Sequence, residues 1–311
     1  MKNLLSIFFL VFTTVVFGQH TNFNTQKNWS LNKKEVIFGI GASQFTGDLG
    51  GRDRIGKDYS LVDIDLPSTG ISGMLGYRFR FHPMFATSTT VNFMWLRGND
   101  AMTNEIIRNS RNLHFRSFSF EIQQRIEFII YANEKFGARY KLPGHKYFKD
   151  KNFRLYVYTG AGALYYNPQA QYQGDWVNLK GLNTEGQGMT GGPKKYLGIT
   201  ATIPFGIGFR MGLGQMWRMG IEATYIKTFS DYIDDVGGVY YDPAALGSPA
   251  AAYLSNPASQ NATWFAPGQV RGQKQKDAYY TLNIVFARNL TYKNNSKQRR
   301  MYQFNRGRYK F

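Results

Sequence analysis

The sequence lacks cysteine altogether and is poor in histidine and in acidic residues. Without cysteine the chain can form no disulfide framework and no lipid-anchored N-terminal cysteine. The four histidines are scattered, so they predict no zinc site. Only 20 Asp and Glu residues stand against 38 Lys and Arg residues, which gives a formal net charge of +18.

Long hydrophobic runs are also missing, except at the N-terminus. There Lys2 precedes an apolar run of about 14 residues from Leu4 to Phe17, and Gly18 offers a small-residue cleavage point. We interpret residues 1–18 as a secretory signal peptide, since a spanning helix needs ~20 residues. An uncleaved membrane anchor is the alternative. Export makes anionic lipid, lipopolysaccharide or an acidic protein more natural counterparts of the remaining charge than nucleic acid.

Period-two alternation is the main signal in the rest of the chain. It predicts eight strands of about 10 residues each. They are Val36 to Phe45, Gly70 to Phe81, Phe85 to Leu96, Phe118 to Phe128, Leu155 to Tyr166, Ala201 to Met211, Met219 to Phe229 and Tyr280 to Ala287.

The clearest strand, FSFEIQQRIEF, carries Phe118, Phe120 and Ile122 on one face and Glu121 and Arg125 on the other. With an even strand number and alternating short and long connections, this pattern is typical of an outer-membrane barrel. We therefore predict an all-β fold, an eight-stranded antiparallel transmembrane β-barrel over residues 35–290. Aromatic residues at strand ends are expected to lie at the membrane interface: Trp95, Tyr158, Tyr165, Tyr166, Trp217, Tyr225 and Tyr232.

The polar face of these strands carries bulky charges that we expect to form a network inside the barrel. A soluble β-sandwich, the alternative fold, would have to bury the same charges in a dry core. The predicted interior residues are Arg78, Arg80, Glu121, Arg125, Glu127, Arg210 and Glu222.

Two basic segments are predicted on the periplasmic side. One is the loop Tyr131 to Lys151, and the other is the tail over residues 291–311, which follows the last strand; residues 19–34 form a short periplasmic segment before the first strand. They could be solvated or touch lipid phosphates, or they could dock an acidic partner, since the tail also carries aromatic anchors. The candidate partner-binding residues are Lys135, Arg139, Lys141, Lys146, Lys149, Lys151, Arg299, Arg300, Tyr302, Phe304, Arg306, Arg308, Tyr309 and Phe311.

Catalytic and metal signals are weak, and we predict neither an enzyme nor a cofactor. His114 with Ser117 is the best candidate for a base and a nucleophile, but no third partner is evident. Asp231, Asp234 and Asp235 follow the seventh strand and are a weak calcium candidate, since they lack the regular spacing of an EF-hand loop.

Seven segments, taken in order, resemble those of the PorG-like proteins, outer-membrane barrel components of the type IX secretion system of the Bacteroidetes. The resemblance runs from about Val36 to Asp242, and each motif alone is weakly specific. The segments are FGIGASQFTGDLGG, FRFHPMFA, NSRNLHFRSFSFE, RLYVYTGAGALYYNPQA, LNTEGQG, TIPFGIGFR and FSDYIDDVGGVYYD.

This resemblance implies a non-catalytic role: anchoring a periplasmic ring, built from proteins like PorK and PorN, at the outer membrane near the translocon. In gliding bacteria the same machinery serves motility. An alternative function is ligand binding or adhesion through the long outer loops, Asn167 to Thr200 and Ser230 to Asp277.

Overall fold

The computed structural model describes residues 32–49, 68–102, 106–133, 153–213, 216–258, 264–272 and 275–291. Within these ranges nine strands form one antiparallel sheet. They are β1 (Lys34–Thr46), β2 (Gly70–Arg80), β3 (Phe85–Asn99), β4 (His114–Asn133), β5 (Phe153–Tyr172), β6 (Asp175–Asn178), β7 (Ile199–Gly212), β8 (Trp217–Thr228) and β9 (Ala278–Asn289).

Helices are short and lie in the connections. They are α1 (Ile106–Arg111) and α2 (Pro249–Ser255), with 3-10 turns at Asp100–Met102, Leu179–Gly181 and Pro243–Ala245. None of the helices in the described ranges is long and apolar enough to cross a membrane.

The sheet closes into a barrel because β1 pairs with both β2 and β9. Eight strands form the closed ring, and β6 adds to β5 alone, beyond the point where the β5–β7 pairing ends at Tyr165 and Ile199. All eight predicted strands are confirmed. The fourth extends well past its predicted ends, to His114–Asn133, and its pairing with β5 carries the sheet above the rim of the barrel.

The faces of the barrel have the reverse polarity of a water-soluble protein. In β4 the side chains of Glu121 and Arg125 are buried, whereas Ile122 and Ile126 are about half exposed. This is the pattern of a barrel with an apolar exterior and a polar interior. Further exposed apolar side chains on the outside are Ile40, Ile71, Leu75, Phe93, Phe118, Phe205, Ile207, Ile221, Leu282 and Ile284.

Two tyrosines predicted for the interfacial belt, Tyr158 and Tyr166, point into the barrel instead and are buried. Their strand neighbour Tyr165 is exposed, as the alternation of faces requires. The belt prediction is therefore wrong for these two residues, because position near a strand end does not decide which face a side chain takes. Trp95 and Trp217 do lie on the outside.

The interior has two zones. We call the end with the connections at residues 81–84 and 213–216 the short-turn end, and the opposite end the long-loop end. Charged side chains fill the short-turn half, and a hydrophobic cluster fills the long-loop half. That cluster comprises Phe45, Leu49, Met94, Leu96, Leu113, Phe115, Leu164, Tyr166, Ile226, Ile233, Val236 and Tyr279.

Glycines in β7 make room for two tyrosine rings from β5. Gly208 lies opposite Tyr156, and Gly206 lies opposite Tyr158. A Cβ atom at either glycine would come within 2.2 Å of the tyrosine ring. Each ring therefore fills the space that a side chain at the facing glycine would need.

We predict that Gly208→Ala destabilises the barrel by about 1–3 kcal/mol, because Tyr156 would have to leave its position. Gly73→Ala is the matched control, since a Cβ there would meet nothing within 4 Å. The measurement is denaturant unfolding of the purified protein in detergent micelles. Equal stability of the two variants would contradict this packing.

Candidate functional site

One carboxylate, that of Glu35 on β1, organises the charged zone of the barrel. Its Oε2 lies 3.0 Å from Arg78 Nη1, 3.6 Å from Arg154 Nη1 and 3.5 Å from Arg210 Nη1. Arg218 contacts its Oε1. All five side chains are almost fully buried, so these ion pairs lie inside the protein rather than in solvent.

A second carboxylate, that of Glu222 on β8, continues the network further along the lumen. Its Oε2 lies 3.1 Å from Arg125 Nη1, and its Oε1 accepts hydrogen bonds from Arg210 and Tyr156. The Tyr156 ring also lies against the guanidinium groups of Arg78 and Arg210, with 5.1 and 4.8 Å from each Cζ to the ring centroid. Such contacts offset part of the cost of burying these charges away from water.

The seven charged residues predicted for the interior are all buried there, and five of them form ion pairs with one another: Arg78, Arg125, Glu127, Arg210 and Glu222. Glu127 pairs with Arg78, and Glu121 accepts a 2.6 Å hydrogen bond from the Thr202 hydroxyl. Arg80 donates to the carbonyl of Pro83 at the first short turn. The charges fill the lumen across the short-turn half of the barrel.

Three members of this network escaped the sequence prediction: Glu35, Arg154 and Arg218. Each lies one residue before the start of a predicted strand. Extending the alternation by a single position at Val36, Leu155 and Met219 would have placed all three on the polar face. Strand ends are the least certain part of such a prediction, and the missed residues lie there.

A folded cap covers the long-loop end, and Arg111 at the end of α1 is one of its two centres. The Arg111 guanidinium binds both oxygens of Asp100, at 2.6 and 3.0 Å. It also donates to the backbone carbonyls of Asp48 and Arg271, at 2.8 and 2.7 Å. Three separate connections are thereby joined through one buried side chain.

Arg271 is the second centre of the cap. Its Nη1 lies 3.0 Å from Glu185 Oε1 and donates to the carbonyl of Asp235 at 2.7 Å. Glu185 also accepts hydrogen bonds from the backbone N–H groups of Gly237 and Gly238. The LNTEGQG segment therefore meets both halves of the last connection at Arg271: the FSDYIDDVGGVYYD segment at its start and Arg271 near its end.

The stretch from Phe229 to Asp242 closes the mouth of the barrel. Ile233 and Val236 enter the hydrophobic cluster and are buried. The backbone is held by carboxylates: Asp277 accepts from the Ile233 N–H at 2.9 Å, and Asp234 accepts from the N–H groups of Leu49 and Val236. The acidic stretch therefore serves as a plug that these hydrogen bonds hold in the mouth of the barrel.

The three aspartates named as a calcium candidate are not brought together. Asp235 accepts hydrogen bonds from the Thr184 and Tyr196 hydroxyls, at 2.5 and 2.6 Å, whereas Asp234 is turned toward Leu49 and Val236. Asp231 is partly exposed. In the ranges given above, no group of three or more histidine or acidic side chains is arranged to hold a metal ion.

Burial shifts the acidity of these cap residues. Desolvation, followed by the nearby charges of Asp48 and Glu185, raises the pKa of Asp231 to about 7. Desolvation likewise raises the pKa of Asp235 to about 6, although Arg271 opposes the shift. The pKa of Asp277 lies well above its ordinary value, because the carboxyl is buried beside Asp234.

The best catalytic candidate does not assemble. His114 Nε2 accepts a hydrogen bond from the backbone N–H of Gln171, at 2.9 Å. Ser117 lies three positions along β4, where it points inward and contacts Ser119. Residues three apart in a strand lie on opposite faces, so the histidine cannot serve this hydroxyl as a base.

The basic loop and tail predicted to dock a partner lie outside the described residues. This applies to Lys135, Arg139, Lys141, Lys146, Lys149 and Lys151 of the loop, and to Arg299, Arg300, Tyr302, Phe304, Arg306, Arg308, Tyr309 and Phe311 of the tail.

Comparison with known proteins assigns no family to this chain. No family model matches the sequence, and no curated protein matches it. Among solved structures, similar chains include Ail of Yersinia pestis in complex with a heparin analogue (9% identity, TM-score 0.34, covering 82% of this chain and 96% of Ail). Neisserial surface protein A is also similar, with 8% identity and a TM-score of 0.35, covering 83% of this chain and 97% of its own. OprG of Pseudomonas aeruginosa has 9% identity and a TM-score of 0.31, covering 83% of this chain and 96% of its own. Scores this low transfer no function to this chain.

We predict that the cap is most stable in acid. A carboxyl whose pKa is raised by folding contributes stability that is fully present below about pH 3.8 and is lost as the pH rises through about 6 to 7, the range set by Asp235 and Asp231. Amide hydrogen exchange of residues 229–242, corrected for intrinsic rates, should therefore accelerate over that range.

Asp277→Asn should slow this exchange at pH 8, because the asparagine oxygen still accepts from the Ile233 N–H and carries no buried charge. At pH 4.5 the aspartate is itself protonated, so the substitution should change the exchange little. Asp175→Asn, at an exposed position on β6, is the control and should leave both profiles unchanged. Identical pH profiles for the wild type and Asp277→Asn would contradict the assignment.

Proposed function

We propose that this chain is an integral outer-membrane barrel and a non-catalytic component of the type IX secretion system. In this proposal it anchors periplasmic ring proteins resembling PorK and PorN near the translocon. The observation that carries the proposal is a closed barrel with an apolar exterior and a lumen filled by paired charges. A barrel of eight strands filled in this way leaves no aqueous channel, so the surfaces it offers to partners are its outside and its two ends.

The membrane position is supported by the belt of exposed apolar side chains. Ile40, Ile71 and Ile126 are each more than half exposed, and Trp95 and Trp217 lie toward opposite ends of the belt. In water such a surface would drive aggregation, whereas in lipid it is the required one. With the predicted signal peptide, this favours the outer membrane.

The secretion role is supported by the residues that carry the resemblance to PorG-like proteins. Four of those segments meet in the cap. The Leu49 N–H donates to Asp234, Arg111 donates to the Asp48 carbonyl, and the Gly237 N–H donates to Glu185. Shared motifs that converge on one structure are stronger support than motifs scattered along a chain. The cap in this proposal is a family feature that seals the barrel.

The anchoring surface is proposed for the opposite, periplasmic side. The tail carries seven basic residues from Lys293 to Lys310 and no acidic one. A cluster of this kind suits an acidic protein partner, with Tyr302, Phe304 and Tyr309 as candidate interface anchors.

The alternative function, binding of a ligand or surface through the long loops, is favoured by apolar residues that the cap exposes. Leu197 and Val270 are 79% and 72% exposed, and Tyr253 and Trp264 are also exposed. On this alternative, replacing Leu197 and Val270 with serine would abolish attachment and leave secretion intact.

We predict that deleting residues 293–311 releases the ring proteins from the barrel. Affinity purification from detergent-solubilised membranes, followed by mass spectrometry, measures what remains bound. Replacing Arg299, Arg300, Arg306 and Arg308 with glutamine should reproduce most of the loss, since the attraction is electrostatic.

The Leu197→Ser/Val270→Ser variant is the control and should retain the ring proteins. A heat-dependent gel shift must show that every variant remains folded. Ring proteins that co-purify equally with the truncated and intact barrels would overturn the proposed contact.

A further inference from the structure

Outward side chains of β3, β4 and β5 form registered rows that change character near the long-loop end. Each row consists of residues paired directly across the strands. Going up the barrel, the rows are Val91, Ile122 and Ala163, then Phe93, Phe120 and Tyr165, then Trp95, Phe118 and Asn167, then Arg97, Arg116 and Gln169. The surface thus passes from aliphatic to aromatic to cationic in successive rows.

The top row sets two arginines side by side. Arg97 and Arg116 are paired across β3 and β4, an arrangement of like charges that normally destabilises a sheet. Their protein partners are neutral: Arg97 donates to the carbonyl of Thr69, and Arg116 Nε donates to Gln169 Oε1 at 3.1 Å. No acidic side chain of the described ranges forms an ion pair with either arginine.

Arg116 is also held between two indole rings. Its Cζ lies 3.7 Å from the ring centroid of Trp176 on β6 and 5.8 Å from that of Trp95 on β3. This contact fixes the guanidinium on the outer face, where its remaining N–H groups are available to a ligand. The short strand β6, which adds nothing to barrel closure, supplies one of the two rings.

We propose that Arg97 and Arg116 bind the phosphate of an anionic glycolipid in the leaflet that surrounds the long-loop end of the barrel. A phosphate placed between the two guanidinium groups would remove their repulsion and accept charge-assisted hydrogen bonds from both. The Trp95 and Phe118 row, directly below, would contact the upper part of the acyl chains. Gln169 and Asn167 add neutral polar groups beside the phosphate position.

The height of the site favours a lipid over a free anion. Rows of one strand face are spaced about 6.8 Å apart, so the arginines lie a single row above the aromatic girdle. Aromatic girdles mark the depth of the membrane interface, and lipid phosphates lie just above the acyl chains. The inference depends on the proposed membrane position of the barrel, but not on the periplasmic partner.

The test uses the purified full-length barrel in detergent micelles, with native mass spectrometry of bound lipid A. Bisphosphorylated lipid A and chemically dephosphorylated lipid A are offered separately. The wild type should retain the bisphosphorylated form about tenfold or more strongly, and the Arg97→Gln/Arg116→Gln variant should lose that preference.

Arg288→Gln is the matched control. Arg288 lies 5.7 Å from the Trp217 ring centroid on the outer face at the short-turn end, so this variant removes an equivalent cation from the other rim. It should keep the preference for phosphate. If the double variant does not fold, the wild type alone still tests whether the barrel recognises the lipid phosphate. Equal retention of the two lipid A forms by the wild type would overturn the inference.

Integration into liposomes separates this inference from the proposed function. A wild-type barrel that fails to integrate contradicts the membrane position itself. A barrel that integrates, yet binds both lipid A forms equally or binds as well without Arg97 and Arg116, contradicts only the phosphate site. Inorganic phosphate at millimolar concentration should compete poorly, and strong competition would identify a free-anion site instead.

Discussion

The ion pairing of Glu35 with four arginines is the interaction on which the rest of the barrel depends. Glu35 lies on β1, where the sheet closes, and its partners Arg78, Arg154, Arg210 and Arg218 come from β2, β5, β7 and β8. The carboxylate therefore links the closing strand to strands on the far side of the lumen. Buried charges are tolerated only when paired, and removal of one partner typically costs about 3–5 kcal/mol.

A lumen filled in this way directs the function to the surfaces of the barrel. The charged network occupies one half, and the cap with its Ile233 and Val236 plug seals the other. The outside then divides into an apolar belt, a cationic row above that belt and the two ends. The packing of the lumen disfavours transport through the interior, so the surfaces within reach of a partner are the outside and the two ends.

Strand positions were predictable because the period-two pattern is local and strong, as in the alternation around Ile122 and Arg125. The face on which the Tyr158 side chain lies was not predictable, because an aromatic residue at a strand end can face either the lipid or the lumen. The cap could not be predicted because its contacts are not local in sequence. Arg111, for example, donates to the carbonyl of Arg271, which is 160 residues away. Nothing local marks Arg271, which lies outside the seven segments that carry a recognisable motif. The aspartates suggested a metal site because their spacing is visible in sequence, whereas their separate partners, such as Thr184 and Leu49, are not.

Electrical recording tests most directly whether paired charges close the lumen. The purified barrel would be inserted into a planar lipid bilayer and its current measured under an applied voltage, with insertion verified by protease protection. We expect no conductance steps for the wild type, and intermittent leakage for Glu35→Gln, which leaves four arginines without their shared carboxylate. Stable open-channel steps in the wild-type protein would contradict the closed lumen, and with it the assignment of function to the outer surfaces.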